Sequence, residues 1–370
     1  MKKSIQGAAA VLILLLLLSH PTLAYEGAKS GLLLWSQTVL PTLLPFMICS
    51  NVIVALDAIR FLTWPFQSIL KNVLKLSPNG SYIFISGLLC GYPMGAKTCS
   101  EFLDDKRITG KEASYLLAIC NHPSPMFLLG YVSGSLNGGI SDWLLLASLY
   151  LPVFLLAVWA RKIYRVGENE EKTENLERVR SMNRLNQISR GQSDHASRNQ
   201  LEFASENRSN DTSGSRLDRS SGSQSDHAAG SFPVTPAKAA LSFDRTMMGS
   251  VEVMVKIGGY IMLFSILAHY LEYLPLPGGP ARALVLGFVE ITTGIQALSV
   301  STGGFLQGLA VVAVTAFGGL SGIFQTGSVI SGNAKNAGLS IRHYVMWKCL
   351  HSALSCGCFI LLLWLLPLIR

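Results

Sequence analysis

The chain has 370 residues, 49% of them hydrophobic and 14% charged, with a mean hydropathy of +0.38 and a formal net charge of +8. Residues 161–245 hold 14 of the 30 Lys and Arg and 12 of the 22 Asp and Glu, so the other 285 residues carry only 26 charged side chains. This excludes a cytosolic enzyme, a secreted disulfide scaffold and a nucleic-acid binder, because the excess positive charge has no basic groove to sit on and instead fits the topology of a membrane protein.

A helix needs about 20 apolar residues to cross the hydrocarbon of a bilayer. Runs of that kind lie at 5–24, 31–56, 113–134, 142–160, 249–273, 305–330 and 344–367. Two further apolar stretches, 81–103 and 283–301, are interrupted by Gly and Pro or by Thr and read as re-entrant hairpins. The predicted class is an all-α polytopic membrane protein of about seven spans plus two hairpins.

In chain order, residues 1–24 have a Lys2-Lys3 start, a leucine-rich core from Val11 to Leu18, and Thr22 and Ala24 spaced like a cleavage site. They read as a signal peptide or an uncleaved anchor, the anchor being preferred, and both readings put Tyr25 outside. From a cytoplasmic N-terminus the short inner segments collect Lys2, Lys3, Arg60, Lys71, Lys75, Lys106, Arg107, Lys111, Lys335 and Arg342, and the outer ones Lys29, Arg282 and Arg370. Ten against three is a strong positive-inside bias, and reading either hairpin as a full span would spoil it. Trp143, Trp159, Trp347 and Trp364 lie near the ends of their spans, as an aromatic belt requires, although lipid-facing packing fits the same positions.

The expected organisation is a first membrane repeat at 31–160, a connection at 161–248 and a second repeat at 249–370. Within the connection, residues 166–245 are polar and aperiodic and read as a disordered cytoplasmic linker, a solvated tether or a partner-binding segment. The two repeats share a plan of long span, interrupted hairpin, broken span and final span. Gly87-Leu-Leu-Cys-Gly91-Tyr-Pro-Met-Gly95-Ala-Lys97 has its counterpart in Gly287-Phe-Val-Glu-Ile-Thr-Thr-Gly294-Ile-Gln296, and Asn121-His-Pro-Ser124-Pro-Met-Phe127 in Gly318-Gly-Leu-Ser321-Gly-Ile-Phe324. Each half has an odd number of crossings, so the second is inserted upside down relative to the first. Inverted repeats with discontinuous helices are the build of secondary transporters, whose unwound backbone and half-helix N-termini face the substrate.

Pro123 and Pro125 remove two backbone donors, so their helix should open near Asn121–Ser124, a simple kink being the alternative. Asn121, His122 and Ser124 then bring polar groups to mid-membrane, where they need partners. Gly318, Gly319, Ser321 and Gly322 make the equivalent opening by flexibility, followed by Gln325. In the first hairpin Gly87, Gly91 and Gly95 leave one face bare for close packing, Tyr92-Pro93 supplies the tip, and Lys97 follows it. Lys97 is a candidate anion-binding cation, with snorkelling to the surface as the alternative, and Gln296 is its counterpart. Glu290 is a candidate for proton coupling or for pairing with Lys97, with a helix-end residue at the outer surface as the alternative. His269 and His351 read as hydrogen-bonded core residues more readily than as proton relays.

The seven cysteines, Cys49, Cys90, Cys99, Cys120, Cys349, Cys356 and Cys358, lie in or beside apolar runs and read as packing residues. Cys356 and Cys358 lack the further ligands of a tetrahedral site, so no metal and no cofactor is expected. No nucleophile triad, phosphate loop, His-Glu-x-x-His or paired-carboxylate arrangement supports an enzyme.

The strings Ser86-Gly-Leu-Leu-Cys-Gly-Tyr-Pro-Met-Gly-Ala-Lys97, Cys120-Asn-His-Pro-Ser-Pro-Met-Phe127 and Gly319-Leu-Ser-Gly-Ile-Phe324 resemble those of sporulation integral membrane proteins of the YlbJ type. That family groups with proteins carrying nucleoside-recognition (Gate) domains. The resemblance covers nearly the whole chain except the linker, and Gly91 to Lys97 is its most specific part. It implies a protein of an endospore-forming bacterium that sits in the outer forespore membrane, its linker in the mother-cell cytoplasm, and delivers dipicolinic acid toward the spore core. It also implies the hairpin-plus-broken-helix architecture of concentrative nucleoside transporters. The long polar linker and Thr292-Thr293 in place of Tyr92-Pro93 depart from the family's pattern.

Dipicolinate is a planar dianion, and Lys97 with donors from Asn121, Ser124, Gln296, Ser321 and Gln325 could coordinate its carboxylates while Tyr92 stacks on the ring. The expected partners are the bilayer, a small anionic substrate, other sporulation membrane proteins and a second copy of the chain. A membrane scaffold for spore-envelope assembly and a nucleoside transporter are the rival readings.

Overall fold

The computed structural model describes residues 2–56, 58–136, 139–166, 236–274 and 278–369, which are helical with no strand among them. A first helix, Lys2–Ser19, ends at His20 (φ −133°, ψ 66°), where Pro21 opens a new helix at its first position. That second helix runs unbroken from Pro21 to Ala55. The apolar runs predict a boundary at 24–31, but Pro21 is the only strong breaker there and the residues after it are compatible with helix. The helix carries a π turn at Trp35–Val39, just ahead of the ring of Pro41 and where Leu40 N reaches back to the Trp35 carbonyl. A π turn is one way a helix accommodates a proline that can neither donate nor clear the preceding turn.

Short turns at Ile59–Thr63, Trp64–Phe66 and Gln67–Asn72 lead to the first hairpin, made of Pro78–Cys90 and Met94–Asp104. Ser77 caps it, its Oγ accepting from Gly80 N at 2.9 Å, with Pro78 at the first position. The first broken helix follows: Gly110–Ile119, an open stretch at Cys120–Ser124, and a restart at Pro125 that turns into a π segment over Leu128–Ser133. The predicted span 113–134 is therefore two short helices. A middle helix, Asp142–Tyr164, closes the first half.

The second half begins with a helix over Pro236–Tyr273, reaching into the stretch expected to be linker. The rest of that predicted linker, 167–235, lies outside the described residues. The second hairpin is Pro280–Val289 and Ile291–Ser301, the second broken helix Gly304–Phe317 and Gly319–Val329, and the closing helix Ile341–Ile369. Among the described residues five helices are long and apolar enough to cross a membrane: Pro21–Ala55, Asp142–Tyr164, Met247–Tyr273, Gly304–Val329 and Ile341–Leu365.

The halves interlock. Tyr131 Oη donates to the Thr292 carbonyl at 2.9 Å, Ser331 N donates to Ser100 Oγ at 2.9 Å, and the His351 ring stands between the carbonyls of Leu149 and Ala316. His351 is thus a hydrogen-bonded core residue, and His269 Nδ1 lies 3.0 Å from the Ser265 carbonyl one turn back. Trp143, Trp159 and Trp364 are exposed as an aromatic belt requires, whereas Trp347 is buried and donates from Nε1 to Tyr164 Oη at 3.0 Å. Trp347 faces the hydrophobic cluster of the first hairpin, so its end-of-span position does not carry it to the surface.

Helix Pro21–Ala55 packs on helix Pro236–Tyr273 through small residues: a Cβ at Gly31 would stand 2.8 Å from Met262 Cα and 2.9 Å from Ser265 Oγ. Trp35 pins the same seam, its Nε1 donating to the Met254 carbonyl at 2.9 Å. Trp35→Phe should cost about 1 kcal/mol through that lost bond. Thermal denaturation of the purified protein in detergent would show a small downward shift, and an unchanged midpoint would mean that the bond contributes nothing to the seam.

Candidate functional site

Each hairpin tip is docked against the opening of the helix that follows it. In the first half, Pro123 and Pro125 have no N–H to give, so the carbonyls around them find partners outside their own helix. The His122 carbonyl accepts from Tyr92 N at 3.0 Å, the Pro123 carbonyl from Tyr150 Oη at 2.8 Å and the Asn121 carbonyl from Lys348 Nζ at 3.2 Å. Asn121 Oδ1 accepts from Ala96 N at 3.0 Å, capping the helix Met94–Asp104 from across the interface. Ser124 caps the restart by accepting from Phe127 N at 3.2 Å. Gly87 and Gly95 lie against the Cys120 carbonyl so closely that a Cβ on either would run into its oxygen.

In the second half the opening is a pair of left-handed glycines, Gly318 (φ 84°) and Gly319 (φ 67°), which no L side chain adopts easily. A Cβ on Gly319 would lie 3.3 Å from Ile291 N and from the Val289 carbonyl oxygen, so this opening too rests on its hairpin tip. The tip is Glu290, extended at φ −138°, ψ 115°. Its carboxylate accepts from Thr292 N at 3.0 Å, Thr293 N at 2.8 Å and Thr293 Oγ1 at 3.1 Å, with a further short bond from Thr292 Oγ1. Glu290 is therefore the N-cap of the second arm, buried at 2% exposure, and not a residue of the outer surface.

Both tips and the first opening converge on one cavity, which Gln325 of helix Gly319–Val329 also borders; Tyr92, Ser124, Phe127, Glu290 and Thr292 are part of its lining. The cavity also touches helices Pro21–Ala55 and Pro236–Tyr273 through Thr42 and Ile257. Its free volume is about 50 Å³, room for a few waters but not for an aromatic ring.

The structure brings together Tyr92, Ser124, Gln325 and Glu290 of the residues predicted from sequence. Ser321 is buried beside them, accepting from Gln325 Nε2 at 2.9 Å, and Asn121 is buried behind the opening. Two predicted residues are elsewhere. Lys97 lies one residue past Ala96 on the helix, about 100° round it, and its Nζ pairs with Glu101 Oε1 at 2.6 Å. It borders a separate cavity of about 290 Å³ with Asn51 and Thr98. Gln296 is exposed, because the second arm turns Ile295 and Leu298 inward and leaves Gln296 on the other side.

Sequence reasoning alone misses Lys348. It sits two turns inside the closing helix, 3% exposed, with Nζ 5.4 Å from the Tyr92 ring centroid. Its signal is a lysine inside the apolar run 344–367, which an average over the run dilutes. His122 is buried next to it with its Nε2 on the Ile119 carbonyl and its ring 4.8 Å from that of His351.

No protein-family model matches the chain, and no solved structure matches it. The chain is similar to the sporulation integral membrane protein YlbJ of Bacillus subtilis (strain 168), 29% identical over 133 residues, which cover 36% of this chain and 33% of that protein's length. With five helices long and apolar enough to span a membrane and this similarity to an integral membrane protein, the chain is an integral membrane protein.

Proposed function

We propose that this chain is a membrane transporter of a small organic carboxylate, dipicolinate being the best fit, working in the outer forespore membrane of a spore-forming bacterium. The observation that carries the reading is the meeting of two hairpin tips and the first helix opening at one largely apolar cavity whose polar groups are Thr42, Tyr92, Ser124, Glu290, Thr292 and Gln325, while the second opening rests on its own tip. Discontinuous helices facing each other across a mid-membrane site are how secondary transporters expose backbone polar groups to a substrate without exposing them to lipid. On this reading the two halves are inverted Gate-like repeats and the hairpins are re-entrant. The similarity to a sporulation membrane protein supports the setting, and dipicolinate is the small dianion that the family resemblance suggests. With a free volume of about 50 Å³ the cavity is too small for dipicolinate, so loading requires Tyr92 or Phe127 to move, or the first hairpin to part from helix Pro21–Ala55.

The test is uptake of labelled dipicolinate by proteoliposomes containing the full chain. Uptake that is saturable and absent from empty liposomes is the expected result, and none by folded, inserted protein would sink the reading. Lys97→Ala is expected to keep uptake near wild type, because the Lys97 ammonium pairs with Glu101 on its own helix and borders a separate cavity away from the two tips. Loss of uptake in that variant would return Lys97 to the substrate path. Ser124→Ala removes a cap worth about 1 kcal/mol at the cavity wall and should lower uptake several-fold.

A further inference from the structure

We infer that Lys348, Asn121 and Tyr92 form the carboxylate-recognition site of this carrier, an inference that rests on the transporter reading above. A lysine within an apolar helix end can usually bend its ammonium to the surface. Lys348 does not: it is 3% exposed, it turns inward, and its hydrogen-bond partner is the Asn121 carbonyl. It is in no ion pair among the described residues, and a buried ammonium without a counter-charge is costly.

Two donors beside it lack a good acceptor. Asn121 Oδ1 is committed to Ala96 N, which fixes the amide's orientation and leaves Nδ2 as the donor. That Nδ2 is buried and makes no hydrogen bond of normal geometry, although the Tyr344 hydroxyl adjoins it. The Tyr92 hydroxyl is likewise buried without a partner, and its ring both borders the central cavity and faces Lys348 Nζ. The neighbouring His122 Nε2 faces a carbonyl and must carry its hydrogen, which leaves Nδ1 a buried acceptor without a partner that brings no negative charge. A carboxylate supplies what these groups lack: two acceptor oxygens and one negative charge, held by an ammonium, an amide N–H and a phenol. An uncharged nucleoside would leave the ammonium unpaired. Tyr92, common to the cavity and to Lys348, is the side chain that has to swing for a substrate carboxylate to reach the cation.

The test is equilibrium binding of dipicolinate to the full chain in nanodiscs, with pyridine-2,6-dicarboxamide and uridine as uncharged probes. Wild type should bind dipicolinate at least tenfold more tightly than either neutral probe. Lys348→Gln should lose at least tenfold in affinity for dipicolinate, and Lys97→Gln should lose none. Asn121→Asp keeps the acceptor for Ala96 N and installs a fixed carboxylate near Lys348, so it should fold and still lose dipicolinate binding; it decides the matter should Lys348→Gln not fold. Equal wild-type affinity for dipicolinate and its diamide would overturn the inference, as would unchanged binding by folded Lys348→Gln or Asn121→Asp. If wild type transports dipicolinate in those cases, the transporter reading survives. Wild type that neither binds nor transports dipicolinate would overturn both.

Discussion

Gly95→Ala is expected to prevent the first hairpin from seating, with a loss of about 3 kcal/mol or more, at or above the upper end of ordinary overpacking costs. The added Cβ would run into the Cys120 carbonyl oxygen and would sit 2.9 Å from both the carbonyl carbon and Sγ of that residue. Two of those three atoms are backbone, and that backbone cannot retreat freely. It is tied to the hairpin on one side by Asn121 Oδ1 on Ala96 N and by the His122 carbonyl on Tyr92 N, and held from the other by Tyr150 Oη on the Pro123 carbonyl. Giving way would break several of these bonds in a buried place where each orphaned group costs about 1–3 kcal/mol. Gly130→Ala is the matched control, since a Cβ there meets nothing within 4 Å. Fluorescence-detected size-exclusion and a melting curve check both: Gly95→Ala should aggregate or melt far earlier, and Gly130→Ala should match wild type. A Gly95→Ala protein with a wild-type melt would mean that the close approach is not what holds the tip.

Much of this site is legible in residue order because its punctuation is local. Pro123 and Pro125 cannot continue a hydrogen-bonded helix, Gly318 and Gly319 adopt backbone angles that other residues avoid, and Gly91-Tyr92-Pro93 stops one arm before the next begins. Those signals place both openings and the first tip within a residue or two. The second tip is harder. Thr292-Thr293 aligns with Tyr92-Pro93 in the repeat, yet the threonines form the first turn of the second arm and the tip is Glu290, which they hydrogen-bond. Glutamate is not among the favoured N-cap residues, so nothing in its neighbourhood marks it as one.

What spacing does not carry is azimuth. Ala96 and Lys97 are adjacent in the chain, but one faces the Asn121 cap and the other an outward pair with Glu101, and only packing decides which. The same holds for Gln296 beside the buried Ile295. Lys348 is hidden for a different reason: a run is judged apolar by its average, and one lysine among Trp347, Leu350 and Leu354 barely moves that average. The contact that reveals it, with the carbonyl of Asn121, joins residues 227 positions apart. Long-range pairing of this kind is where a single sequence stops being informative. The two cations thus exchange the places that spacing suggests, the visible one at the rim and the hidden one at the centre.

Glu290 offers the second large effect, and two substitutions separate its possible duties. Glu290→Ala removes every bond the side chain makes, leaving the amides of Thr292 and Thr293 without an acceptor at a buried tip. Capping losses usually run about 0.5–2 kcal/mol, and the two extra hydroxyl bonds in a buried setting place this one at about 2 kcal/mol or more. Glu290→Gln keeps an amide oxygen that can accept from both N–H groups, so its fold should survive with a smaller loss of about 1 kcal/mol. The pair therefore distinguishes a cap from a proton carrier. If Glu290 only caps, Glu290→Gln transports dipicolinate with the same dependence on an imposed proton gradient as wild type, while Glu290→Ala fails with its melting point. If the carboxylate also carries a proton, Glu290→Gln folds normally but its uptake no longer responds to the gradient. A Glu290→Ala protein as stable as wild type would remove the capping role altogether and leave proton carriage as the one duty for a carboxylate at this tip.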